Sequence, residues 1–242
     1  MMRKNSTYLK LPFQFDQEKL AHDLSLIMEG KWVAHFNTNG YKGDWKAISL
    51  YAPGGDDANI FALSASDSEI SETSILKKCL YLKEVIGSIK CPILTARLLR
   101  LGVGAEIKAH RDHELGYENN NFRLHIPICT NSKVQFVLDG KLLKMLPGEC
   151  WYTNVNYVHS VLNAGKSERV HLVIDYERNE WSDQLFFSLA PERSFKPEAS
   201  ENHSLERVKM ILEELKHHDT PATHQLINEL KLKLIDTNPS IH

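Results

Sequence analysis

Signals that would assign the chain to a membrane, a secretory route or nucleic acid are missing from its 242 residues. No run approaches the roughly 18–20 consecutive apolar residues that a helix needs to cross a bilayer. The N-terminal sequence MMRKNSTYLKLPFQF is charged but lacks the apolar core of a signal peptide. Lysine and arginine form no tract and the net charge is −2, which argues against nucleic acid or an anionic membrane as the main partner. We therefore expect a cytoplasmic protein.

Cysteine is scarce and follows no metal-binding pattern. The four cysteines are Cys79, Cys91, Cys129 and Cys150. None belongs to a C-x-x-C pair, and all lie among apolar residues. We expect them to be small buried hydrophobic residues rather than disulfide partners, which agrees with a reducing cytoplasm.

The motifs of several common enzyme classes are also absent. The chain has no GxGxxG, no GxxxxGK[ST], no HExxH and no GxSxG. Dinucleotide binding, P-loop chemistry, zinc-protease chemistry and the α/β-hydrolase nucleophile therefore have no support. The composition, 42% hydrophobic and 25% charged, is that of an ordinary globular domain.

The first ninety residues have a mixed pattern. Residues 16–29 are predicted to form an amphipathic helix, because apolar residues recur at helical spacing between Asp16, a suitable N-cap, and Gly30, a suitable stop. The other elements predicted here are short strands at 32–36 and 45–51 and a second helix over 74–86.

From 93 to 176 short β-rich runs follow one another, separated by turn residues. The runs are ILTARLLRL, FRLHIPI, KVQFVLD, KLLKML, CWYTN, HSVLN and RVHLVIDY. Such a succession favours a sandwich or barrel over a parallel α/β sheet, and Asp139-Gly140 is a good hairpin turn. After about 195, two amphipathic helices are predicted. They can pack on the same domain, which we favour, or form a cap or a dimer contact.

Three residues form a candidate metal site. His110 and Asp112 are two positions apart, so on an extended segment they face the same way. His159 follows 47 residues after Asp112 and can lie beside them on a later strand. Two imidazoles and one carboxylate on one face of a metal leave its other positions open, which suits non-haem iron(II).

Arg169 strengthens this interpretation. It lies ten residues after His159, on the next predicted strand. The interior of a barrel is a poor place for a guanidinium without an anion, and arginine can bind a carboxylate such as the distal end of 2-oxoglutarate with two hydrogen bonds. The alternative is that Arg169 lies at an edge and points to solvent.

With these residues in place, the segment from Ala96 to Tyr176 resembles the aspartyl/asparaginyl β-hydroxylase family of iron(II)- and 2-oxoglutarate-dependent oxygenases. The pieces that match are RLLRLGVGAEIKAHRD, FRLHIPI and HSVLNAGKSERVHLVIDY. The resemblance implies a mainly β fold with flanking helices around a double-stranded β-helix core of the jelly-roll, cupin-like type.

The resemblance also implies roles for single residues. His110, Asp112 and His159 would bind the iron, and Arg169 would bind the distal carboxylate of 2-oxoglutarate. In the Arg-x-His pair, Arg123 and His125 match residues that contact the cosubstrate. Without the family, His125 is more typical of a satisfied core histidine.

One position distinguishes branches of the family. The animal hydroxylase has glycine where this chain has Asp112, whereas bacterial hydroxylases of free amino acids, including proline, keep the aspartate. The chain is more similar to that branch. Arg97 would then meet the carboxylate of the substrate, although Arg100 is close and the strand register leaves both open.

The expected activity is hydroxylation of an unactivated C–H bond, with iron(II), 2-oxoglutarate and dioxygen consumed to give succinate and carbon dioxide. A free amino acid, for example a proline-like one, is the favoured substrate, and a residue within a peptide or bound to a carrier comes second. The expected organisation is an oxygenase domain over 1–195, with helices and strands in 1–92 and the β-helix core in 93–190, and a C-terminal helical extension over 196–242 that could form a homodimer contact.

Two alternatives belong to other classes. A cupin-like barrel could bind a metal or a small acid without oxidising it, but this gives no reason for Arg169. An interaction module working through the C-terminal helices is the other.

Overall fold

The computed structural model describes residues 6–30, 32–62 and 68–196. Within them, the first strands of the chain are β1 (Tyr8–Gln14), β2 (Val33–Ala34), β3 (Tyr41–Lys42), β4 (Trp45–Pro53), β5 (Ile70–Glu72), β6 (Ile93–Leu101) and β7 (Glu106–His110). They are followed by β8 (Asn121–Cys129), β9 (Val134–Leu138), β10 (Lys141–Leu143), β11 (Glu149–Thr153), β12 (His159–Asn163) and β13 (Arg169–Glu177). The α-helices are α1 (Gln17–Ser25), α2 (Leu80–Gly87) and α3 (Glu180–Leu189).

These strands form two antiparallel sheets. The larger has the order β1-β11-β8-β13-β6-β4-β2, with β5 paired to β4, and the smaller has the order β10-β9-β12-β7-β3. Apolar side chains from both sheets, such as Leu101 and Phe136, share one buried cluster. The order is that of a double-stranded β-helix, so the predicted mainly β architecture with flanking helices is confirmed.

The outer face of the larger sheet packs against the helices. Leu98, Leu124 and Leu172 on β6, β8 and β13 belong to the same buried cluster as Leu20 of α1 and Phe186 of α3. Side chains alternate along a strand, so the intervening residues of β6, β8 and β13 face the inside of the barrel. That inner face carries the candidate site.

The helix predicted over 16–29 begins as expected and ends early. The Asp16 carboxylate accepts the N–H groups of Glu18 and Lys19 at 3.0 and 3.1 Å, which confirms it as the N-cap. The α-helix ends at Ser25. The N–H of Leu26 still bonds four residues back to His22, but that of Ile27 bonds only three residues back to Leu24 and tightens the chain into turns.

The helix predicted over 74–86 is correct only in its second half, where α2 lies. Leu76–Lys78 form a 3₁₀ turn and α2 begins only after Cys79, whose φ and ψ are −116° and 78°. The buried carboxylate of Asp23 in α1 accepts an N–H from the first turn of α2 at 2.8 Å. This tertiary cap fixes the start of α2, and no local signal in the sequence reveals it.

The β core predicted over 93–190 also extends too far, because its last strand, β13, ends at Glu177. Asn179 and Ser182 then form a capping box that starts α3. The strand β1 was not predicted either. It pairs with β11 at the edge of the larger sheet.

Three further expectations concern the cysteines, membrane-spanning helices and the C-terminal region. All four cysteines are free thiols, and three of them are buried, as predicted. None of the helices in the described part is long and apolar enough to cross a membrane. The predicted C-terminal helices and their dimer contact lie outside the described residues and stay predictions.

Candidate active site

The three predicted metal ligands lie together at one end of the smaller sheet. His110 ends β7, His159 begins β12, and the two residues are paired in the sheet with ring centroids 4.2 Å apart. Asp112 lies beyond the end of β7, in a loop, and its backbone N–H donates to the carbonyl of Val155 at 2.9 Å. One ligand atom from each of the three side chains can be chosen so that all lie within 4.8 Å of one another.

Both imidazoles are held in the orientation that a metal requires. Nδ1 of His110 lies 2.8 Å from the carbonyl oxygen of Lys108, and Nδ1 of His159 lies 3.1 Å from that of Tyr157. A carbonyl only accepts, so each Nδ1 carries a proton, and Nε2 is the ring nitrogen left to bind a metal.

The charges of the site favour the metal-binding protonation states. Burial and the neighbouring His110 lower the pKa of His159 to about 4, so its ring is neutral near pH 7. Burial by itself raises the pKa of Asp112, but Arg123 and the two imidazoles outweigh it and lower that pKa to about 2. The carboxylate is therefore ionised.

The loop that carries Asp112 is tied to the loop that precedes His159. Glu118 accepts from the side-chain amides of Asn154 and Asn156 at 2.8 to 3.0 Å. Gly116 lies against the same amides, and a Cβ added there would be 2.3 Å from Nδ2 of Asn156. Only glycine allows this close approach, which fixes the two loops together.

Arg169 is buried without a carboxylate partner. It is 1% exposed, and its Nη2 lies 2.8 Å from Nδ1 of His171. Its Nε has no partner, and among the described residues no carboxylate forms an ion pair with it. Burial lowers the pKa of Arg169 to about 9. This excludes the alternative of an edge residue pointing to solvent.

His125 lies beside this arginine inside the barrel. Its ring centroid is 5.7 Å from that of His171, and both of its ring nitrogens are buried without a partner among the residues that the structure describes. Burial, with the charges of Arg169 and Arg123, lowers its pKa well below 6.5. A satisfied core histidine would have a hydrogen bond, so that alternative does not fit.

Arg97 and Arg100 point to opposite faces of β6. Arg97 is 4% exposed inside the barrel, where its Nη2 donates to Asp175 at 2.8 Å and its Nη1 to the carbonyl of Ile60 at 3.1 Å. Arg100 lies on the other face and pairs with Asp44 at 3.1 Å. Of the two arginines that the sequence left open, Arg97 is therefore the one that faces the interior.

Arg123 connects the inner face of the larger sheet to the metal ligands. Its Nε and Nη2 donate to the two oxygens of Asp175 at 2.7 and 3.0 Å, and its Nη1 donates to Oδ2 of Asp112. Two of its five N–H groups are not used by these bonds. The contact of Arg123 with a cosubstrate stays a prediction.

A group of aromatic residues missed by the sequence analysis lies near the same charges. His35 stacks on Trp45 with ring centroids 3.5 Å apart, and Phe36 stacks on His35 at 4.4 Å. Phe36 contacts Phe61 at 4.7 Å, and these two rings are 56% and 46% exposed. Burial, followed by the charge of Arg97, lowers the pKa of His35 to about 4.

His171 and Asp175 were also missed as site residues. They alternate with Arg169 and Val173 along β13, so all four share the inner face. In the sequence, only the alternation of side chains along the strand indicates that these residues face the same way. That alternation does not show which residues of other strands they contact.

The donor set and the unpartnered polar atoms fit the predicted groups. Two imidazole nitrogens and one carboxylate suit iron(II) and leave positions on the metal open. Nε of Arg169 and Nε2 of His171 are buried donors with no partner in the described ranges, and they suit a carboxylate.

A sequence profile described as aspartyl/asparaginyl beta-hydroxylase matches residues 14–179, well over half of the chain. The chain belongs to this family. It is 28% identical over 182 residues to an L-proline cis-4-hydroxylase of Rhizobium meliloti, covering 74% of this chain and 64% of that protein. It is 26% identical over 167 residues to L-proline cis-3-hydroxylase 2 of a Streptomyces species, covering 67% and 57%. The expected likeness to bacterial proline hydroxylases is confirmed, although the chain spans only about three fifths of the length of these relatives.

A solved structure supports the fold. The crystal structure of an oxidoreductase of the 2OG-Fe(II) oxygenase family from Burkholderia pseudomallei has a TM-score of 0.51 and 16% identity to this chain, and covers 72% of it and 86% of that protein. At this identity the likeness concerns the fold alone.

Proposed function

We propose that this protein is an iron(II)- and 2-oxoglutarate-dependent dioxygenase that hydroxylates an unactivated C–H bond of a free amino acid and releases succinate and carbon dioxide. One observation carries the proposal. The triad of His110, Asp112 and His159 shares a barrel with Arg169, a buried guanidinium that lacks a carboxylate among the described residues. A metal site next to an unmatched cation suits a cosubstrate that is both a chelator and an anion.

The ligands would hold iron(II) with one negative charge, from Asp112, and two neutral imidazoles. The bound iron and cosubstrate supply the oxidising chemistry. The protein contributes position and a dry environment: the sheets bury Arg169 and His125 almost completely, so contacts made there with an anion are strengthened by the low local dielectric.

Arg169 would bind the distal carboxylate of 2-oxoglutarate, and His171 would keep its guanidinium in place through the 2.8 Å contact. Arg123 and His125 are the further residues proposed to contact the cosubstrate. His125 has two free ring nitrogens for this purpose, and Arg123 has the N–H groups that its carboxylate partners do not use.

Arg97 would meet the carboxylate of the substrate. Its Nε is buried and has no partner in the part of the chain that the structure describes. The apolar side chains of Ala47, Leu99 and Val173 lie in one cluster on the neighbouring positions of the inner face. A guanidinium only 4% exposed is more accessible to a small free acid than to a residue inside a peptide. This favours a small L-amino acid with an apolar side chain, as the proline hydroxylase relatives also suggest.

The test begins with protein loaded anaerobically with iron(II). It is then given 2-oxoglutarate and air, and a panel of free L-amino acids is screened by mass spectrometry for the gain of one oxygen atom. We expect one amino acid to be hydroxylated with an equal amount of succinate, and His159→Ala to form neither product. Full turnover by His159→Ala would contradict the ligand assignment. A protein that takes up zinc but no 2-oxoglutarate would instead be a cupin-like binding protein.

A further inference from the structure

Asp175 is a completely buried carboxylate at the centre of a group of charges. It is 0% exposed, and its two oxygens accept two N–H bonds from Arg123, at 2.7 and 3.0 Å, and one from Arg97 at 2.8 Å. The hydroxyl of Thr95 lies 3.2 Å away. The sheet register produces this arrangement, because Asp175 of β13 pairs with Arg123 of β8 on one side and Thr95 of β6 on the other.

The contact with Asp175 fixes the direction of the Arg123 fork. The guanidinium is planar and its five N–H groups have fixed angles, so a carboxylate that binds Nε and Nη2 also determines where Nη1 points. Nη1 points to Oδ2 of Asp112, one of the candidate metal ligands. A buried carboxylate on β13 therefore sets the orientation of a ligand in the loop after β7.

The charges of this group balance. The guanidinium groups of Arg97 and Arg123 face the carboxylates of Asp112 and Asp175, and all but Asp112 are almost completely buried. Without the charge of Asp175, two buried cations would compete for Asp112, the same carboxylate that a divalent metal needs. Groups that orient metal ligands typically change metal affinity by about 10–100-fold when they are removed.

We propose that Asp175 is a positioning residue of the metal centre: it orients Arg123, which holds Oδ2 of Asp112 and leaves Oδ1 for the metal. The inference rests on the proposed function. It adds that Arg123 orients the metal ligand Asp112 whether or not a cosubstrate is bound. It also adds that Asp175 is required for tight metal binding although it does not touch the metal.

The test measures the affinity of the full chain for Mn²⁺, a divalent ion that does not oxidise in air, by electron paramagnetic resonance of the free ion. Asp175→Asn keeps the shape of the side chain but removes its charge and replaces one acceptor by a donor. We expect its affinity for Mn²⁺ to be about 10–100-fold lower than that of the unmodified protein. Circular dichroism and a thermal melt establish that the variant is folded.

Asp44→Asn is the control. Asp44 accepts an N–H bond from Arg100 at 3.1 Å, in another Asp–Arg pair, which lies on the face of β6 opposite to Arg97. The same chemical change there should leave the affinity for Mn²⁺ unchanged. An equal loss in both variants would mean that Asp175 has only a structural role, and would overturn the proposal.

Arg123→Lys changes the other partner in the contact between Asp175 and Arg123. It tests the proposal even if Asp175→Asn does not fold. Lysine keeps the charge, and Asp175 keeps Arg97, but an ammonium cannot bridge two carboxylates with fixed geometry. We expect a loss of Mn²⁺ affinity similar to that of Asp175→Asn. The double variant should bind Mn²⁺ no more weakly than the single variant with the lower affinity, because both changes break the same link.

The outcomes separate the two proposals. If the unmodified protein does not bind Mn²⁺, the proposed function fails. If it binds Mn²⁺ tightly and folded Arg123→Lys or Asp175→Asn binds it equally well, only the present inference fails.

Discussion

His171 accepts a hydrogen bond from Arg169 across 2.8 Å inside the barrel, with both side chains at most 2% exposed. Because arginine has no acceptor, Nδ1 of His171 accepts and its proton lies on Nε2. Within the described part of the chain, that Nε2–H and the Nε–H of Arg169 are buried donors without partners. Two such donors are costly to bury unpaired and would suit a carboxylate ligand.

Arg169→Met should weaken the binding of 2-oxoglutarate and stabilise the ligand-free protein. The Michaelis constant for 2-oxoglutarate should rise roughly 10–100-fold, since hydrogen bonds to a charged group are lost. The melting temperature without ligand should rise, because methionine removes an unpaired buried cation at similar volume. Succinate assays and thermal melts measure both effects. A lower melting temperature with an unchanged Michaelis constant would show that Arg169 is a structural residue.

Acid should destabilise the metal-free protein through its buried neutral histidines. The pKa values of His125 and His171 are lowered well below 6.5, chiefly by burial. Below pH 6.5 the unfolded chain binds protons at these positions and the folded chain does not, so the free energy of unfolding falls as the pH falls, by up to about 1.4 kcal/mol per pH unit for each histidine.

Urea unfolding between pH 7.5 and 5.5 measures this dependence. His125→Gln removes one of these groups and should make the dependence shallower. A free energy of unfolding that stays constant over this range would mean that these rings become protonated in the folded state.

Gly116→Ala should loosen the loop that carries Asp112. The new Cβ would lie 2.3 Å from Nδ2 of Asn156 and 2.6 Å from Oε1 of Glu118, so the loop must shift. We expect a loss of about 1–3 kcal/mol in stability and a weaker affinity for divalent metal. Gly87→Ala, at the end of α2, is the control, because its Cβ would have no neighbour within 4 Å. Equal metal affinity in both variants would argue against this role of the loop.

Arg97→Gln should raise the Michaelis constant for the amino acid substrate by roughly 10–100-fold, because a charged contact with the substrate is lost. The constant for 2-oxoglutarate should change less, since Asp175 loses its bond from Arg97 but keeps both bonds from Arg123. Arg100→Gln, three residues along β6 and on the opposite face, should leave both constants unchanged. Steady-state kinetics with each substrate varied in turn decides this. Equal effects of the two variants would show that Arg97 acts only through the fold.

The sequence predicts the parts of the site that short spacings mark. His110 and Asp112 follow from their spacing of two, although Asp112 lies in the loop after β7 and not on an extended strand. Arg169 follows from its distance to His159, on the strand before it. The pairing register of β6 with β13 could not be predicted from the sequence. That register decides that Arg97, and not Arg100, faces the interior.

Contacts between distant parts of the chain could not be predicted. In the sequence, Asp175 is only a polar residue near the end of a predicted strand. The pairing of β13 with β8 places it against Arg123. His35 has no motif, and only the pairing of its neighbours with β4 brings it near the site. The cap that Asp23 provides for α2 is of the same kind, because it joins residues far apart in the sequence.

The most direct test of the central claim is an anaerobic calorimetric titration of 2-oxoglutarate into the protein with and without Mn²⁺. If the triad and Arg169 form one site, the unmodified protein binds 2-oxoglutarate tightly only with the metal, Arg169→Met keeps the metal but loses 2-oxoglutarate, and His159→Ala loses both. Metal-dependent binding of 2-oxoglutarate that is as tight in His159→Ala as in the unmodified protein would contradict the account.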